Sequence, residues 1–176
     1  LGDVYKRQIP AYNEEESIEK VINNLKQNYS QYDYVIINDG SHDHTSEICH
    51  KNKYKIIDLP VNLGLTGAFQ TGLKYAYKKG YDYAIQFDAD GQHLPEYIPA
   101  MVDKIEEGYD MVIGSRFVEK PKPRSLRMLG SRVISTAIKI TTGVHIADPT
   151  SGMRLFNKTL IREFAENINY EPEPDT

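Results

Sequence analysis

Apolar positions follow two spacings that alternate along the chain from Ile9 onward. In residues 14–28, apolar side chains recur at every third or fourth position, at Ile18, Val21, Ile22 and Leu25. This spacing predicts an amphipathic helix, and the acidic residues in its first turn suit a helix N-terminus. Short apolar runs such as 34–38, which ends at an Asp-Gly pair, predict buried strands with a turn behind them.

Strands and helices are predicted in alternation along the rest of the chain. Strands are predicted at 34–38, 54–59, 83–87, 110–114 and 152–156. Helices are predicted at 14–28, 43–51, 66–79, 95–107, 125–141 and 158–167. Such alternation implies β-α-β units and a mostly parallel sheet covered by helices on both faces. Ligands bind such sheets at the carboxyl ends of the strands.

Residues 1–8, LGDVYKRQ, break this pattern. They are polar and charged at the place where a buried first strand is expected, and buried strands are apolar. The letters DVYKRQ resemble translated sequencing-adapter read-through, so we predict that residues 1–8 are non-native and leave them out of the fold prediction. We expect residues 9–176 to form a single domain that is truncated at both ends, with its first strand missing or replaced.

Composition narrows the classes of protein. A chain of 176 residues suits one domain with a core, and 40% apolar with 26% charged residues is ordinary for a soluble globular protein. The net charge of −4 gives no reason to expect nucleic-acid binding. No apolar run approaches the ~20 residues of a membrane-spanning helix. The single cysteine, Cys49, excludes a disulfide framework and a cysteine-based zinc site, and it fits a reducing cytoplasm.

Two carboxylates, Asp88 and Asp90, directly follow the predicted strand 83–87 in the segment DADGQH. At positions i and i+2 they can share one hard cation, and Mg²⁺ or Mn²⁺ prefers oxygen ligands while keeping positions open for water and substrate phosphates. An EF-hand loop is excluded, because its twelfth position is Pro99 rather than Glu. A helix-capping turn before Pro95 stays open as the alternative.

Two further polar clusters come at strand ends. In IPAYNEEE, Tyr12 can pack on a base or ribose, and a carboxylate can accept hydrogen bonds from ribose hydroxyls. The alternative is a helix start, with Asn13 as the cap and residues 14–16 complementing the helix dipole. Asp39, after strand 34–38, can accept from a base or a ribose, or it can form a simple Asp-Gly turn, with Asp43 capping the next helix.

Basic residues crowd the stretch 116–132, which has a single acid, Glu119. The six are Arg116, Lys120, Lys122, Arg124, Arg127 and Arg132. A charge run of this kind is usually a solvated loop. Its place after strand 110–114, on the same side of the sheet as DADGQH, favours contact with phosphates or an anionic lipid surface. The stretch is therefore our candidate for peripheral membrane association.

Six motifs occur in a fixed order across about residues 9–156: IPAYNEEESI, VIINDGSHDHT, NLGLTGA, FDADGQH, VIGSRF and DPTSGMR. On these motifs the chain resembles the family 2 glycosyltransferases of GT-A fold, particularly the branch of dolichol- or polyprenyl-phosphate mannosyl- and glucosyltransferases. The resemblance implies a Rossmann-like, three-layer α/β/α fold with a mostly parallel central sheet. It also implies inverting transfer from a nucleoside diphosphate sugar with Mg²⁺ or Mn²⁺.

The resemblance also implies roles for individual residues. The nucleoside ligands would be Pro10, Tyr12, Glu14 and Asp39. The ribose, the metal and the diphosphate would be bound by Asp88, Asp90 and Gln92. Phosphates would be faced by Arg116 and Arg132. Asp90 and Arg116 would thus act directly in catalysis.

The acceptor decides whether a general base is needed. A hydroxyl needs one, and the candidates are Asp148, Glu173 and Asp175. A lipid phosphate is already ionised, so we expect a polyprenyl phosphate acceptor at the cytoplasmic membrane face. The alternatives are transfer to a cell-surface glycan hydroxyl and a non-catalytic nucleotide-sugar-binding domain. A nucleotidyltransferase would carry an N-terminal phosphate loop rich in glycine and basic residues, which IPAYNEE does not match.

Overall fold

The computed structural model describes residues 5–11, 13–87, 95–115, 126–143, 148 and 151–167, with side chains from residue 13 onward except at 126–132 and 142. The strands are β1 (Tyr5–Ala11), β2 (Asp33–Asn38), β3 (Ile56–Asp58), β4 (Tyr83–Gln86), β5 (Met111–Ile113) and β6 (Arg154–Asn157). The helices are α1 (Ile18–Asn28), α2 (Thr45–Lys51), α3 (Gly64–Lys79), α4 (Ile98–Glu106), α5 (Leu126–Thr142) and α6 (Lys158–Glu166). A 3₁₀ turn, Pro95–Tyr97, precedes α4.

The strands of the described residues form one sheet in the order β3-β2-β1-β4-β6-β5. β1 pairs in parallel with β2 on one side and with β4 on the other, whereas β6 runs antiparallel to both β4 and β5. The predicted mostly parallel sheet is therefore confirmed. The chain order reverses between β1 and β4, so the crevice at the carboxyl ends of these two strands is the expected ligand site.

Helices cover both faces of the sheet. On one face, α1, α2 and α4 pack against β2 and β4 through buried apolar side chains that include Ile18, Ile22, Ile36, Ile85 and Met101. On the other face, α3 and α6 pack through a cluster that includes Leu73, Ala84, Phe156 and Ile161. Ala68 of α3 packs there against Val35 and Ile37. The arrangement confirms the three-layer α/β/α architecture.

The first helix begins later than its polar start predicts. The apolar stripe from Ile18 to Leu25 is buried, as the spacing requires. Residues 14–17 nevertheless form a turn, and α1 starts at Ile18. The backbone N–H of Glu14 donates to the side chain of Thr45, the first residue of α2, and that of Glu15 donates to Asp43 in the loop before α2. Long-range hydrogen bonds thus hold the acidic residues in a turn ahead of the helix.

The structure corrects the sequence argument about the first strand. The polar character of residues 1–8 argued against a buried strand there. In the structure, however, β1 begins at Tyr5 and lies between β2 and β4. Arg7 is in register with Tyr34 on one side and with Ile85 on the other, and both neighbours belong to or pack on the apolar core. The non-native origin of residues 1–8 stays a prediction.

β1 is a central strand that carries charged residues, so we expect apolar substitutions in it to stabilise the protein. Replacing Lys6 by Val and Arg7 by Ile should raise the free energy of unfolding by about 2 kcal/mol or more, because strands covered on both faces favour apolar side chains. Thermal denaturation measures this as a midpoint several degrees higher, at roughly 2–4 °C per kcal/mol. Lys20→Val on the exposed face of α1 is the control, expected within about 0.5 kcal/mol of the parent. A lower midpoint for the β1 variant would contradict this expectation.

Candidate functional site

Two loops meet at the carboxyl edge of the sheet: the β1 loop, residues 13–17, and the β2 loop, residues 39–44. The backbone N–H of Asn13 donates to Ser41 Oγ at 3.1 Å, and the N–H of His42 donates to Asn13 Oδ1 at 3.0 Å. Asn13 has a φ of 53°, in the left-handed region, which Asn tolerates better than most residues. The suggestion that Asn13 caps α1 is therefore wrong, because its side chain holds the β2 loop instead.

The next residues of the β1 loop continue this pairing. The N–H of Glu14 donates to Thr45 Oγ1 at 2.8 Å, and the N–H of Glu15 donates to Asp43 Oδ2 at 3.1 Å. Thr45 is fully buried. The carboxylate of Glu14 accepts from Ser17 Oγ at 2.6 Å, which fixes its direction at the site edge. Asp43 also accepts from the N–H of Thr45 at 3.0 Å, so it caps the start of α2 from one residue farther out than a standard N-cap.

Asp39 lies at the end of β2 and is only 4% exposed. Its Oδ1 accepts from the backbone N–H of Leu63 at 2.7 Å, which joins the end of β2 to the loop before α3. Burial raises the pKa of this carboxyl, against the lowering effect of the N–H groups of Leu63 and Gly64. Gly40 follows with a φ of 67°, and a Cβ there would lie 2.7 Å from the nitrogen of Asn62. The loop before α3 therefore packs directly on the Asp-Gly turn.

Two of the sequence motifs meet beyond β4, at the end of β5. Ser151 Oγ donates to the carbonyl of Gly114 at 2.5 Å, and the N–H of Gly114 donates to the carbonyl of Met153 at 2.8 Å. Asp148 precedes this contact, is 1% exposed, and accepts at its carbonyl from the N–H of Ser151 at 3.2 Å. The motifs VIGSRF and DPTSGMR are therefore joined through their described residues.

The predicted site residues divide by what the structure describes. It gives the side chains of Glu14, Asp39 and Asp148. Pro10 and Arg132 are described in the backbone alone. Outside the described residues lie Tyr12, Asp88, Asp90, Gln92, Arg116, Glu173 and Asp175. Within the described part of the chain, His, Cys, Asp and Glu form no group that could hold a metal ion. The roles assigned to all these residues stay predictions.

Sequence reasoning missed the residues that join the two loops. Ser41 and Thr45 accept the backbone N–H groups of the β1 loop, and Asn38 accepts from Ser41. One signal was present: Asn38 is a polar residue that ends the apolar run Val-Ile-Ile and is 3% exposed. A buried amide at such a position requires hydrogen-bond partners, although the sequence does not say which.

An ion pair also joins the two loops. His44 Nδ1 and Glu15 Oε2 lie 2.8 Å apart, and the N–H of His44 donates to the same oxygen at 3.0 Å. Hydrogen bonding to Glu15 raises the pKa of His44, and the backbone and ring bonds from His44 lower the pKa of Glu15. The contribution of His44 to the stability of the loops is fully present below the unfolded-state pKa of His. This contribution is lost as pH rises through the folded-state pKa of His44. The pair also loses its effect as pH falls through the folded pKa of Glu15.

Removing the partner carboxylate should therefore lower the pKa of His44. An NMR titration of the His44 ring protons should show a pKa above the ordinary value in the parent protein and a lower pKa in the Glu15→Gln variant. Glu47→Gln is the matched control, because Glu47 raises the pKa of His44 only through a smaller Coulombic effect. Equal pKa values in the parent and in Glu15→Gln would show that the pair does not form.

The chain matches a known protein family and several curated relatives. The family model described as "Glycosyl transferase family 2" matches residues 8–164. The UDP-N-acetylglucosamine–dolichyl-phosphate N-acetylglucosaminyltransferase of Methanococcus voltae is 35% identical, over 91% of this chain and 72% of that protein. The undecaprenyl-phosphate mannosyltransferase of Micrococcus luteus is 30% identical, over 88% of this chain and 66% of that protein. This chain thus spans only part of the length of the relatives it matches.

A solved structure shares the fold. Glucosyl-3-phosphoglycerate synthase from Mycobacterium tuberculosis, in complex with Mn²⁺, UDP-glucose and phosphoglyceric acid, matches with a TM-score of 0.71 and 21% identity, over 90% of this chain and 58% of that one. The GT-A fold and the resemblance to the polyprenyl-phosphate branch are therefore confirmed. With a match over residues 8–164, the chain belongs to glycosyl transferase family 2.

Proposed function

We propose that the protein transfers a sugar from a nucleoside diphosphate sugar to a polyprenyl phosphate, with inversion at the anomeric carbon. One observation carries the proposal: the family match spans residues 8–164, and the relatives that cover the same stretch are named for transfer to dolichyl and undecaprenyl phosphates. The fold supports it, because the paired loops lie at the carboxyl edge where sheets of this kind bind ligands.

The donor nucleoside would lie over the β1 and β2 loops. Glu14 presents a carboxylate that Ser17 orients, and carboxylates accept hydrogen bonds from ribose hydroxyls. Asp39 has one oxygen fixed by the N–H of Leu63, and in a buried setting a single hydrogen bond to a base is selective. Tyr12 would pack on the base or ribose. These roles rest on the motif resemblance together with the contacts of Glu14 and Asp39.

Asp88, Asp90 and Gln92 would hold the divalent cation, Mg²⁺ or Mn²⁺. Two carboxylates and an amide provide the oxygen ligands that such hard ions prefer. When bound, the ion neutralises charge on the diphosphate leaving group. The three residues follow β4 and Phe87 in the chain, and β4 borders β1 at the point where the strand order reverses. Mn²⁺ is present in the structure of the mycobacterial synthase.

The transfer itself would be a single in-line displacement. An oxygen of the acceptor phosphate attacks the anomeric carbon, the bond from that carbon to the diphosphate oxygen breaks, and its electron pair leaves with the nucleoside diphosphate. An ionised phosphate has no proton to lose, so this step needs no general base. Arg116 and Arg132 would hold the phosphates. Asp148 is buried and stays a candidate base for a hydroxyl acceptor, a role that a phosphate acceptor does not require.

The acceptor's lipid chain requires contact with a membrane surface, and we propose the cytoplasmic face. The structure contains no described helix that is long and apolar enough to cross a bilayer. Helix α5 continues from the basic stretch 116–132 and exposes Val133, Ile134 and Ile140, the last at 79%. Exposed apolar residues beside basic ones are typical of helices that lie in the membrane interface.

The direct test is transfer of a labelled sugar. The chain is incubated with Mn²⁺, a panel of labelled UDP- and GDP-sugars and either polyprenyl phosphate or a free glycan. We expect labelled polyprenyl phosphate sugar, and loss of product when EDTA removes the metal. Transfer to the glycan alone would contradict the lipid-phosphate acceptor, and absence of product with every donor would contradict the activity.

Two variants assign the metal within the same assay. Asp90→Asn should lower the transfer rate by at least about 100-fold, because loss of a ligand carboxylate weakens charge neutralisation in the transition state. Its midpoint of thermal unfolding should match that of the parent. Asp103→Asn, at an exposed acid of α4, is the matched control and should keep full activity. Full activity of Asp90→Asn would refute the metal assignment.

A further inference from the structure

We infer that Asn38 is a positioning residue for the donor site. Through Ser41 and Asn13, it holds the β1 loop and the β2 loop in one arrangement. The inference rests on the proposed function, because it concerns the loops that would bind the donor nucleoside. Asn38 is not itself assigned to contact the donor.

The amide of Asn38 has a single chemically consistent orientation. Its Nδ2 donates to Asp58 Oδ1 at 2.7 Å, and its Oδ1 accepts from Ser41 Oγ at 2.5 Å and from the N–H of Ser41 at 3.3 Å. Asp58 as an ionised carboxylate only accepts, so the NH₂ group of Asn38 must face it. Burial raises the pKa of Asp58, but the bonds from Asn38, Ser46 and His50 outweigh this and lower the pKa overall.

Ser41 connects Asn38 to the β1 loop. Its Oγ donates to Asn38 and accepts from the N–H of Asn13 at 3.1 Å. Asn13 in turn accepts from the N–H of His42, which closes a ring of hydrogen bonds between the two loops. The left-handed backbone of Asn13 costs free energy and persists only where its surroundings fix it. Asn38 is therefore linked to the left-handed backbone of Asn13 through Ser41.

Members of the ring adjoin, along the chain, the residues predicted to bind the nucleoside. Asn13 separates Tyr12 from Glu14 in the chain, and Asn38 directly precedes Asp39. Asn38 and Asp58 are also in register on adjacent strands, so the amide connects the ends of β2 and β3. A purely structural strand end needs no buried amide, because the apolar residues before it already fill the core. The amide would therefore fix how the β2 loop lies relative to the ends of β2 and β3.

A charge-swap pair tests this role. In Asn38→Asp, two carboxylates would face each other, and the β2 loop should shift. Asp58→Asn in the same chain restores the bond with the roles reversed: Asn at position 58 would donate to Asp at position 38 and to Ser46, and would accept from His50. We expect the affinity for UDP or GDP, measured with Mn²⁺ by calorimetry, to fall at least about tenfold in Asn38→Asp and to return to within about threefold in the double variant.

The control lies at the opposite end of β2. Asp33 accepts hydrogen bonds from Tyr81 and Lys55 at the amino edge, so Asp33→Asn should lower thermal stability while leaving nucleotide affinity unchanged. In the transfer assay, Asn38→Asp should raise KM for the donor more than it lowers kcat, whereas a general loss of folded protein lowers kcat alone. Should Asn38→Asp fail to fold, Ser41→Ala carries the test, with an expected loss of affinity of about threefold or more.

Three outcomes would overturn the inference. These are unchanged affinity in both Asn38→Asp and Ser41→Ala, a double variant as weak as Asn38→Asp, and an equal loss in Asp33→Asn. They apply when the parent binds a nucleotide and transfers sugar, so the proposed function survives them. A folded parent chain that binds neither UDP nor GDP would overturn the proposed function and the inference together.

Discussion

The parallel pairing of β1 with both β2 and β4 is the constraint on which the rest of the structure depends. Ala11 at the end of β1 is in register with Asn38 at the end of β2, and Asn38 is in register with Asp58 at the end of β3. The residues that follow these strands must therefore emerge at the same edge of the sheet. Helices on both faces bury the strands, so polar side chains concentrate where the strands end. The clustering of polar, potentially ligand-binding side chains at one edge of the sheet is therefore a consequence of this topology.

Side-chain hydrogen bonds hold the neighbouring loops at this edge together. Ser41 and Thr45 accept backbone N–H groups that the turn before α1 leaves without a helical partner. Asp39 does the same for the start of α3 through Leu63. Buried carboxylates and amides are costly unless they are bonded, so these contacts both stabilise the edge and fix its geometry. A donor that binds such an edge meets groups already oriented for it, which lowers the entropy lost on binding.

Periodicity predicts most of this fold, and its failures have physical causes. The stripe from Ile18 to Leu25 is a local feature, so the spacing of apolar residues suffices to find it. The start of α1 and the role of Asn13 depend on hydrogen bonds between residues about 30 positions apart, which no local pattern contains. The start of β1 was not predicted because residues 5–8 are polar. Asp39 was found as a strand-end acid, but its bond to Leu63 was not.

In the proposed function the β1 loop and the β2 loop form a single donor site. Hydrogen exchange of the parent chain, measured by mass spectrometry with and without Mn²⁺ and UDP or GDP, shows whether they respond as one. We expect the nucleotide to slow exchange in residues 13–17 and 39–44 together, to a similar extent and at the same concentration. Slower exchange in only one of these loops, or in neither while the nucleotide is bound, would contradict it.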